Sequence, residues 1–542
     1  MTSNSDPLAD YTASATATVT RDADTQRLHE LGYAQELHRG LGWFSNFAVS
    51  FTIISILTGG ITTYYLAMDA GGPRVATVGW VFVGVMSLLV ALAMAEVCSA
   101  YPTAGGLYYW AAKMARPGKA AIWSWYTGWF NLAGQVAVTA SIDFGLSIVV
   151  GFFFQLTFWP SFAAKPWQTL LIYFVILMLH GLINSFGVSL IARLNDISVW
   201  WHLIGTVVLV VLLFVIPTHT SSLHDVTTQT NNLTGFTGSD FATTLWVTLV
   251  GLMLAQYTIT GFDASAHMTE ETQDAARSGP KGIVTAVWVS AVAGFVLMIG
   301  LSIAVPFAAG SADYNTLAGK GVLAGPTIIV NAIGGNLAKF VLFAIIVAQF
   351  FCGMASVTAN SRMIYAFSRD GAIPGSQRWH QINPRTRTPT NSIWFAVVGA
   401  AILGLPSLYT RQNYPVAFFA IVSVAVVGLY VSYVIPVFLR RRNTAFVPGP
   451  WSLGKWSPLV GWLAVIWVIV ILFPLMGPQF YPFVEGKFEP NYFNFAPIVL
   501  LLVIGFAAIY WAVSARKWFK GPKVQGSAEE LAAIERDLTV AG

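Results

Sequence analysis

Charged side chains are scarce in this sequence of 542 residues. Asp, Glu, Lys and Arg make up only 10% of the chain, whereas hydrophobic residues make up 56% and the mean hydropathy is +0.64. An ordinary soluble domain carries about 25% charged residues. The deficit excludes that class and indicates a polytopic membrane protein.

Cysteine is also scarce, with Cys98 and Cys352 both in apolar segments. Two thiols cannot form a disulfide framework or a four-ligand zinc site, and small buried thiols behave as hydrophobic residues. The sequence contains no H-E-x-x-H, G-x-S-x-G, P-loop or Rossmann fingerprint and no Cys/His cluster. Its basic patches have no interleaved aromatics on a soluble face. We therefore predict no enzymatic activity, no metal, no cofactor and no nucleic-acid partner.

Twelve apolar segments of roughly 20 residues or more are each long enough to cross about 30 Å of hydrocarbon. We number them spans 1 to 12 in chain order. They lie at about 43–68, 75–98, 119–153, 167–187, 192–216, 241–268, 281–308, 325–360, 390–408, 415–439, 456–477 and 493–514.

The basic residues are distributed unevenly between the two sides that these spans define. Of the 29 Lys and Arg residues, 23 fall on the side of the chain termini, five fall on the other side and Lys339 lies inside span 8. By the positive-inside rule, both termini are predicted to be cytoplasmic in a plasma-membrane protein. The first 40 residues are polar, without a basic start and an apolar run, so we expect a tail and not a signal peptide.

Two loops carry features that have simple explanations. Asn232 begins a glycosylation triplet in an outer loop, which matters only in a cell that glycosylates. The inner loop at about 361–389 begins with Arg362 and Arg369 on a helical exit from span 8. We interpret these arginines as anchors to anionic lipid.

Span 1 contains an adjacent glycine pair, Gly59 and Gly60, flanked by hydroxyl residues from Ser55 to Thr63. Each glycine weakens a helix by roughly 1 kcal/mol, and broken backbone in a membrane needs protein or a polar cavity around it. The stretch from Tyr257 to Ser265 in span 6 has the same character. Paired interruptions of this kind indicate the binding site of a secondary transporter.

The break in span 1 lies near the bilayer midplane, since Thr58 is some fifteen residues, or roughly 22 Å, into the span. The outer half-helix would present free N–H groups to an anion such as a substrate carboxylate. A notch for close helix packing is the alternative. The candidate substrate ligands in this span are Thr58, Gly59, Gly60 and Ile61.

In span 6, Asp263 is a carboxylate at membrane depth, where it costs about 3 kcal/mol or more unless it faces a cavity or a partner. It could bind a substrate cation, close a gate or form a structural pair. Tyr257 is placed to cover the site with its ring. The candidate ligands on this side are Asn131 of span 3 together with Tyr257, Thr258, Thr260, Gly261 and Asp263.

Three other polar residues are candidates for ion coupling or gating, beside Tyr257 and Asp263. His202 in span 5 could titrate for proton coupling or could act only as an interhelical hydrogen-bond donor. Ser356 and Thr358 in span 8 could offer oxygens to sodium or could bond their own backbone. Gln135 and His180 are further polar residues at depth.

Four ordered motifs resemble those of the amino acid, polyamine and organocation transporter superfamily. Span 1 resembles its G-[ST]-G-[IV] break, although threonine replaces the first glycine and glycine replaces the hydroxyl residue. The remaining motifs follow span 2, span 6 and span 8. They are Ala95-Glu96 with Tyr101-Pro102-Thr103-Ala104-Gly105-Gly106-Leu107-Tyr108, Glu270-Glu271 through Pro280, and Ser361-Arg362 through Arg369-Asp370-Gly371-Ala372-Ile373-Pro374.

Within that superfamily, the span 6 stretch and Trp200-Trp201-His202 look most like the amino acid and choline branch, which includes GABA permeases. The resemblance implies an all-α membrane protein with the inverted five-plus-five repeat of the bacterial leucine transporter fold and broken helices 1 and 6. It also implies that Gly59 and Gly60 meet the substrate carboxylate and that Tyr257 is the aromatic gate. Some relatives have a lysine in span 5 where this chain has Trp201 or His202.

The expected organisation has two five-helix repeats flanked by tails and followed by a peripheral pair of helices. Its parts are 1–40, 41–216, 241–440, 441–514 and 515–542. We expect a permease that imports a small zwitterion, an amino acid or GABA, by alternating access with proton coupling, sodium being the other candidate ion. The alternatives are a choline or polyamine carrier and a transporter-like ligand receptor. The sequence leaves the oligomeric state open.

Overall fold

A computed structural model describes residues 23–162, 164–409 and 416–541. The predicted tail up to residue 22 and Arg411 lie outside these residues.

In this part of the chain, twelve helices are long and apolar enough to cross a membrane, and they coincide with the twelve predicted spans. Each apolar segment forms a helix because a helix satisfies its own backbone groups in hydrocarbon. The length of each helix follows the length of the apolar segment. The spans are Trp43–Thr62, Gly72–Ala100, Ala120–Thr157, Pro166–Ser185, Val188–Val215, Phe241–Thr258, Ala275–Ile303, Gly335–Arg369, Thr390–Leu408, Phe418–Arg441, Gly454–Met476 and Ala496–Trp518.

Both predicted breaks are confirmed. In span 1 the first helix, Trp43–Ile54, ends at Ser55, whose φ of 36° is left-handed, and the chain resumes as Gly59–Thr62 and Tyr64–Asp69. In span 6 the helix Met253–Thr258 is followed by an irregular segment and a short helix, Ala264–His267.

The two breaks pack directly on each other at Gly261. This glycine has a φ of 94°, and a Cβ there would lie 2.4 Å from Cγ2 of Ile53. Only a residue without a side chain fits both the left-handed backbone and this contact. The glycine therefore brings the two interrupted spans together at one level.

The predicted start of span 8 at residue 325 is wrong. Ala324–Ile333 is a separate helix, and with Ala312–Ala318 it forms part of a bent pair with an angle of 110°. Span 8 starts at Gly335, which follows Gly334 and like it has a positive φ, and extends to Arg369. Because both segments are apolar, the prediction merged two helices that Gly334 and Gly335 separate.

Span 3 is central in the bundle. It packs on span 10 through two glycines, since a Cβ on Gly428 would lie 2.6 Å from Cα of Gly134. Span 12 is the least buried of the twelve, whereas span 11 contributes Trp467, Val468 and Ile471 to the main hydrophobic core. The remaining elements are short and include the helices Gly106–Met114, Leu223–Thr228, Ser376–Trp379 and Ala528–Ala541 and the antiparallel strands Phe483–Val484 and Lys487–Phe488.

The first and last described segments of the chain meet on one side of the bundle. We call this side the terminal face, formed by residues 23–42, 269–274, 362–370 and 516–541. Leu41 forms a β-bridge with Thr272 just beyond the span 6 break, and His29 Nε2 lies 2.8 Å from Glu535 Oε1. Segments far apart in sequence thus close the bundle beneath the two broken spans.

Candidate functional site

A small cavity of about 20 Å³, room for roughly one water molecule, lies where the two breaks meet. None of the described residues that line it is charged. Its walls come from spans 1, 3, 6 and 8 and combine apolar side chains with hydroxyl, amide and thiol groups. The lining residues are Ile53, Ile54, Thr58, Gly59, Thr62, Val138, Ile142, Tyr257, Thr258, Thr260, Gln349 and Cys352.

On the span 1 side, the turn of the break is closed by the carbonyl of Ser55. The backbone N–H groups of Thr58 and Gly59 donate to it at 2.9 and 2.8 Å. Among the described residues, the N–H groups of Gly60 and Ile61 form no backbone hydrogen bond. The outer half of span 1 therefore begins with unused donors, as the first turn of a helix does.

His202 of span 5 contacts this break. Its Nε2 lies 2.7 Å from Ser55 Oγ, and its Nδ1 lies 2.7 Å from the carbonyl of Ser198. Because a carbonyl only accepts, Nδ1 carries hydrogen and a neutral ring accepts at Nε2 from the Ser55 hydroxyl. Ser55 in turn accepts from the hydroxyl of Thr58 at 2.6 Å. A chain of two hydrogen bonds thus links His202 to Thr58, which lines the cavity.

On the span 6 side, Tyr257 lines the cavity and donates from its hydroxyl to Ser141 Oγ of span 3 at 2.9 Å. The carbonyls released by the break are also bonded. Tyr430 donates to the carbonyl of Ile259 at 2.8 Å, and Ser50 donates to that of Phe262 at 2.9 Å. These bonds hold the irregular segment in place.

Asp263 is fully buried and lies outside the cavity lining. Its Oδ1 accepts from the Tyr433 hydroxyl at 2.6 Å, and its Oδ2 accepts from the amides of Gln135 and Asn131 at 2.8 and 3.1 Å. His267 Nε2 lies 3.2 Å from Oδ2. Of the three sequence-based interpretations, this geometry matches a structural pair most closely.

His267 was missed by the sequence reasoning, although it lies four residues after Asp263 on the same helix face. Its Nδ1 lies 2.9 Å from the carbonyl of Ala104, so this nitrogen donates. The proton between His267 Nε2 and Asp263 Oδ2 is then shared by these two side chains. The spacing of four residues was the signal that could have identified it.

The cavity separates the ten predicted substrate ligands into two groups. Thr58, Gly59, Tyr257, Thr258 and Thr260 line it, whereas Gly60, Ile61, Asn131, Gly261 and Asp263 do not.

Gly60 and Ile61 instead face neighbouring helices. A Cβ on Gly60 would lie 2.8 Å from Cε of Met298 in span 7, which is helix packing. The carbonyl of Ile61 meets the separate helix that precedes span 8, where a Cβ on Gly325 would lie 2.2 Å from it.

The structure does not bring Ser356 and Thr358 together. Ser356 Oγ lies 2.8 Å from Thr139 Oγ1 in span 3, and Thr358 donates to Asn184 Oδ1 of span 4 at 2.7 Å. Two residues apart on a helix, the hydroxyls point in different directions. A sodium site at these residues stays a prediction that this arrangement does not favour.

Span 8 instead contributes Gln349 and Cys352, which sequence reasoning missed. Cys352 donates from its thiol to the carbonyl of Ile53 in span 1 at 3.2 Å. Gln349 donates to the carbonyl of Ile142 in span 3 at 3.1 Å, and its Oε1 has no hydrogen-bond partner among the described residues. A polar residue and a thiol three positions apart on one face of an apolar helix were the available signal.

The arginines at the end of span 8 are not lipid anchors, so that interpretation is wrong. Arg362 Nε lies 2.7 Å from Glu271 Oε1 with both side chains fully buried, and Arg369 binds Glu270 through a contact of 2.8 Å. The two glutamates directly follow the span 6 break. Two buried ion pairs therefore hold the terminal face closed under the cavity.

Asn232 is exposed, and its amide donates to the carbonyl of Phe236 at 2.9 Å. Glycosylation at this residue stays a prediction.

Comparison with known proteins agrees with this geometry. Residues 41–506 match the family model described as amino acid permease. The chain is 41% identical over 511 residues to Amino-acid permease BAT1 of Arabidopsis thaliana, covering 92% of this chain and 96% of that protein. It is 30% identical over 515 residues to the GABA-specific permease of Saccharomyces cerevisiae, covering 92% and 86%. A putative polyamine transporter of Candida albicans is 27% identical over 525 residues, covering 95% and 92%.

These matches confirm the superfamily indicated by the four motifs and the predicted fold class of an all-α membrane protein with broken helices 1 and 6. The chain belongs to the amino acid permease family.

Proposed function

We propose that this chain is a secondary active permease that imports a small amino acid or GABA across the plasma membrane by proton-coupled alternating access. One observation carries the proposal: the cavity lies where both broken spans meet, and the described residues that line it include no charged side chain. A buried charge without a partner is costly, so an uncharged cavity suits a ligand whose own charges sum to zero.

The two ends of a zwitterion find different partners in this cavity. Thr58 and Gly59 line the cavity at the start of the outer half of span 1, where the partial positive charge of a helix N-terminus favours a carboxylate. Opposite them, Gln349 Oε1 is an acceptor with no partner in the described structure, which suits an ammonium group. The ligand therefore lies between span 1 and span 8 with Tyr257 beside it, in a cavity that must widen from its present volume of about 20 Å³ to admit it.

Proton coupling is supported by His202. The ring is connected to the cavity through Ser55 and Thr58. Protonation at Nε2 turns this nitrogen into a donor and reverses its bond to Ser55. A change of charge at span 5 is thereby communicated to the break that holds the substrate.

The distribution of charge bears on which side of the bundle faces the cytoplasm. The excess of Lys and Arg on the side of the termini supports a cytoplasmic terminal face. In this structure the ion pairs of Glu270 and Glu271 close that face. Import then requires these contacts to separate after Tyr257 has covered the cavity from the other side.

The proposal is tested by uptake into proteoliposomes with proton and sodium gradients imposed separately. We expect accumulation of a small amino acid or GABA under an inward proton gradient, with competition among small zwitterions and none from choline or putrescine. The control variant is Gly59→Val, which fills the cavity. Uptake by Gly59→Val equal to the parent chain contradicts the site, and binding without accumulation indicates a receptor.

A polyamine or choline carrier is the second candidate, favoured by the likeness to the putative polyamine transporter. A polycation needs carboxylates around it, and Asp263 already accepts from three donors besides contacting His267. Strong competition by putrescine would favour this candidate over the first.

A further inference from the structure

The last described segment of the chain packs against the terminal face after span 12 ends. We call residues 519–541 the C-terminal arm. At its start, Phe519 is buried against Trp125 of span 3, with 5.2 Å between the ring centroids. The helix Ala528–Ala541 follows, and Leu531 on this helix is also buried. The arm is therefore fixed to the bundle at its start and lies against it further along.

Gln525 of the arm binds the segment that precedes span 1. Its backbone N–H donates to the carbonyl of Gly32 at 2.9 Å. Its side chain accepts from the N–H of Ala34 at 2.7 Å and donates to Glu36 Oε1 at 2.6 Å. The backbone and side chain of one residue thus hold three positions of the segment before span 1.

Glu535 of the arm binds the same segment. Its Oε1 accepts from the backbone N–H of Gln35 at 2.7 Å. On the other side of the segment, the Gln35 side chain donates to the carbonyl of Glu270 at 2.7 Å, and Arg39 donates to the carbonyl of Thr269 at 3.1 Å. The segment before span 1 is therefore bonded both to the arm and to the chain that follows the span 6 break.

The arm also binds the end of span 8. The backbone N–H of Lys523 donates to Asp370 Oδ1 at 3.0 Å, and Asp370 directly follows the last residue of that span. Import requires Glu270 and Glu271 to separate from the arginines of span 8. The segment before span 1 is bonded to the chain of these glutamates, whereas Lys523 is bonded to the end of span 8. The arm thus crosses the boundary at which the terminal face has to open.

We propose that the C-terminal arm is a latch that keeps the terminal face closed until Gln525 and Glu535 release the segment before span 1. This inference rests on the proposed function, because it takes the terminal face to open during transport. The bonds of the latch are half-buried, and a hydrogen bond of this kind is weaker than a buried ion pair. The latch therefore regulates how often the inner side opens, and the cavity still determines which substrate binds.

Cys352 provides a probe of this opening, because it is buried and lines the cavity. The test measures its alkylation by a membrane-impermeant maleimide in sealed inside-out vesicles, with the full chain carrying Cys98→Ala and without substrate. The buried thiol reacts from this side only when the terminal face opens, so the rate reports the open population. Mass spectrometry of the peptide that contains Cys352 separates this reaction from any other.

Gln525→Ala and Glu535→Ala should each raise the rate from the inner side by about tenfold, the effect of one or two hydrogen bonds. The matched control is Glu529→Ala, which removes an exposed acid from the first turn of the same helix and should leave the rate unchanged. In right-side-out vesicles, neither latch variant should react faster than the parent chain. An unchanged rate from the inner side in both variants, or an equal rise from both sides, would overturn the latch.

A cross-link is the opposite change. A Cβ on Gly32 would lie 3.4 Å from Cβ of Val524, close to the separation that a disulfide spans. Oxidised Gly32→Cys with Val524→Cys should slow the alkylation of Cys352 from the inner side, and prior reduction should restore the rate. Gly32→Cys alone is the control, because it has the same left-handed backbone at a φ of 101°. A rate that the cross-link does not change would overturn the latch.

The alkylation test is independent of the substrate. Alkylation without substrate reports only the opening of the terminal face, whereas uptake by the wild-type chain tests the proposed function. Alkylation that depends on the arm in a chain that takes up no amino acid would overturn the permease assignment and support the latch. Normal uptake by a chain whose alkylation no arm variant changes would overturn the latch alone.

Discussion

His202 Nε2 lies 2.7 Å from Ser55 Oγ, at the residue where the first helix of span 1 ends. The contact joins a group that can change charge near neutral pH to the backbone turn beside the cavity. This contact is a physical connection between span 5 and the substrate site. The predictions for His202 and for Gly59 and Gly60 depend on this contact and on the residues beside it.

His202→Ala should lose uptake driven by a pH gradient and keep exchange of labelled for unlabelled substrate at equal pH. Exchange needs only the cavity, whereas accumulation needs the titrating ring. A reduction of about 5- to 150-fold corresponds to common coupling free energies. Uptake and exchange are compared in the same vesicles, with His224→Ala as the control. Full gradient-driven uptake by His202→Ala would remove this residue from the coupling role.

Gly59→Ala and Gly60→Ala should differ although they are adjacent. A Cβ on Gly59 would lie 3.1 Å from Cγ2 of Thr258 at the cavity, whereas one on Gly60 would meet Met298. We expect Gly59→Ala to weaken substrate binding by about tenfold, at the lower end of overpacking costs. Gly60→Ala should bind normally and shift only thermal stability. The reverse order of affinities would place the carboxylate at Gly60.

The glycine pair shows where prediction from sequence stops. Apolar runs and adjacent glycines are local, so the sequence predicted twelve spans and both breaks. Neighbouring residues on a helix differ by about 100° in direction, and only the packed structure shows that Gly59 faces the cavity while Gly60 faces span 7.

Asp263 shows a second limit. Its partners Asn131, Gln135 and Tyr433 lie in spans 3 and 10, far away in the sequence. No local pattern relates these positions, so three interpretations of the carboxylate were open. Only His267, four residues away, could have been found from spacing.

Asp263→Asn should reduce uptake of every substrate in parallel. The change removes the negative charge that faces His267. It also replaces one carboxylate oxygen, which accepts hydrogen bonds, with an amide NH2 group, although the side chains around it are donors. Breaking a buried pair costs about 3–5 kcal/mol. Tyr433→Phe is the matched control, since it removes one hydrogen bond worth about 1 kcal/mol. Competition by choline that changes selectively in Asp263→Asn would instead show that this carboxylate binds a cation.

Glu271→Gln should destabilise the chain strongly because Arg362 is left buried without a counter-charge. We expect a loss of about 3–5 kcal/mol, whereas Glu271→Met with Arg362→Met should recover much of it. The exposed pair of Arg277 and Asp274 provides the control, and Arg277→Gln should cost less than about 1 kcal/mol. Thermal unfolding in detergent measures all three, and equal shifts for the buried and exposed pairs would contradict the closure of the terminal face.

Asp370 makes the stability of the terminal face depend on pH. Burial raises the pKa of this carboxyl above its ordinary value of 3.8, against the opposing effects of Arg369 and of the donors Lys523 N–H, Tyr108 and Tyr33. A raised acid pKa means that the folded chain holds the proton more tightly than the unfolded chain. The stabilisation is therefore complete below pH 3.8 and is lost as pH rises through the folded pKa. Asp370→Asn should flatten this part of the profile of melting temperature against pH, and an unchanged profile would show that other groups control it.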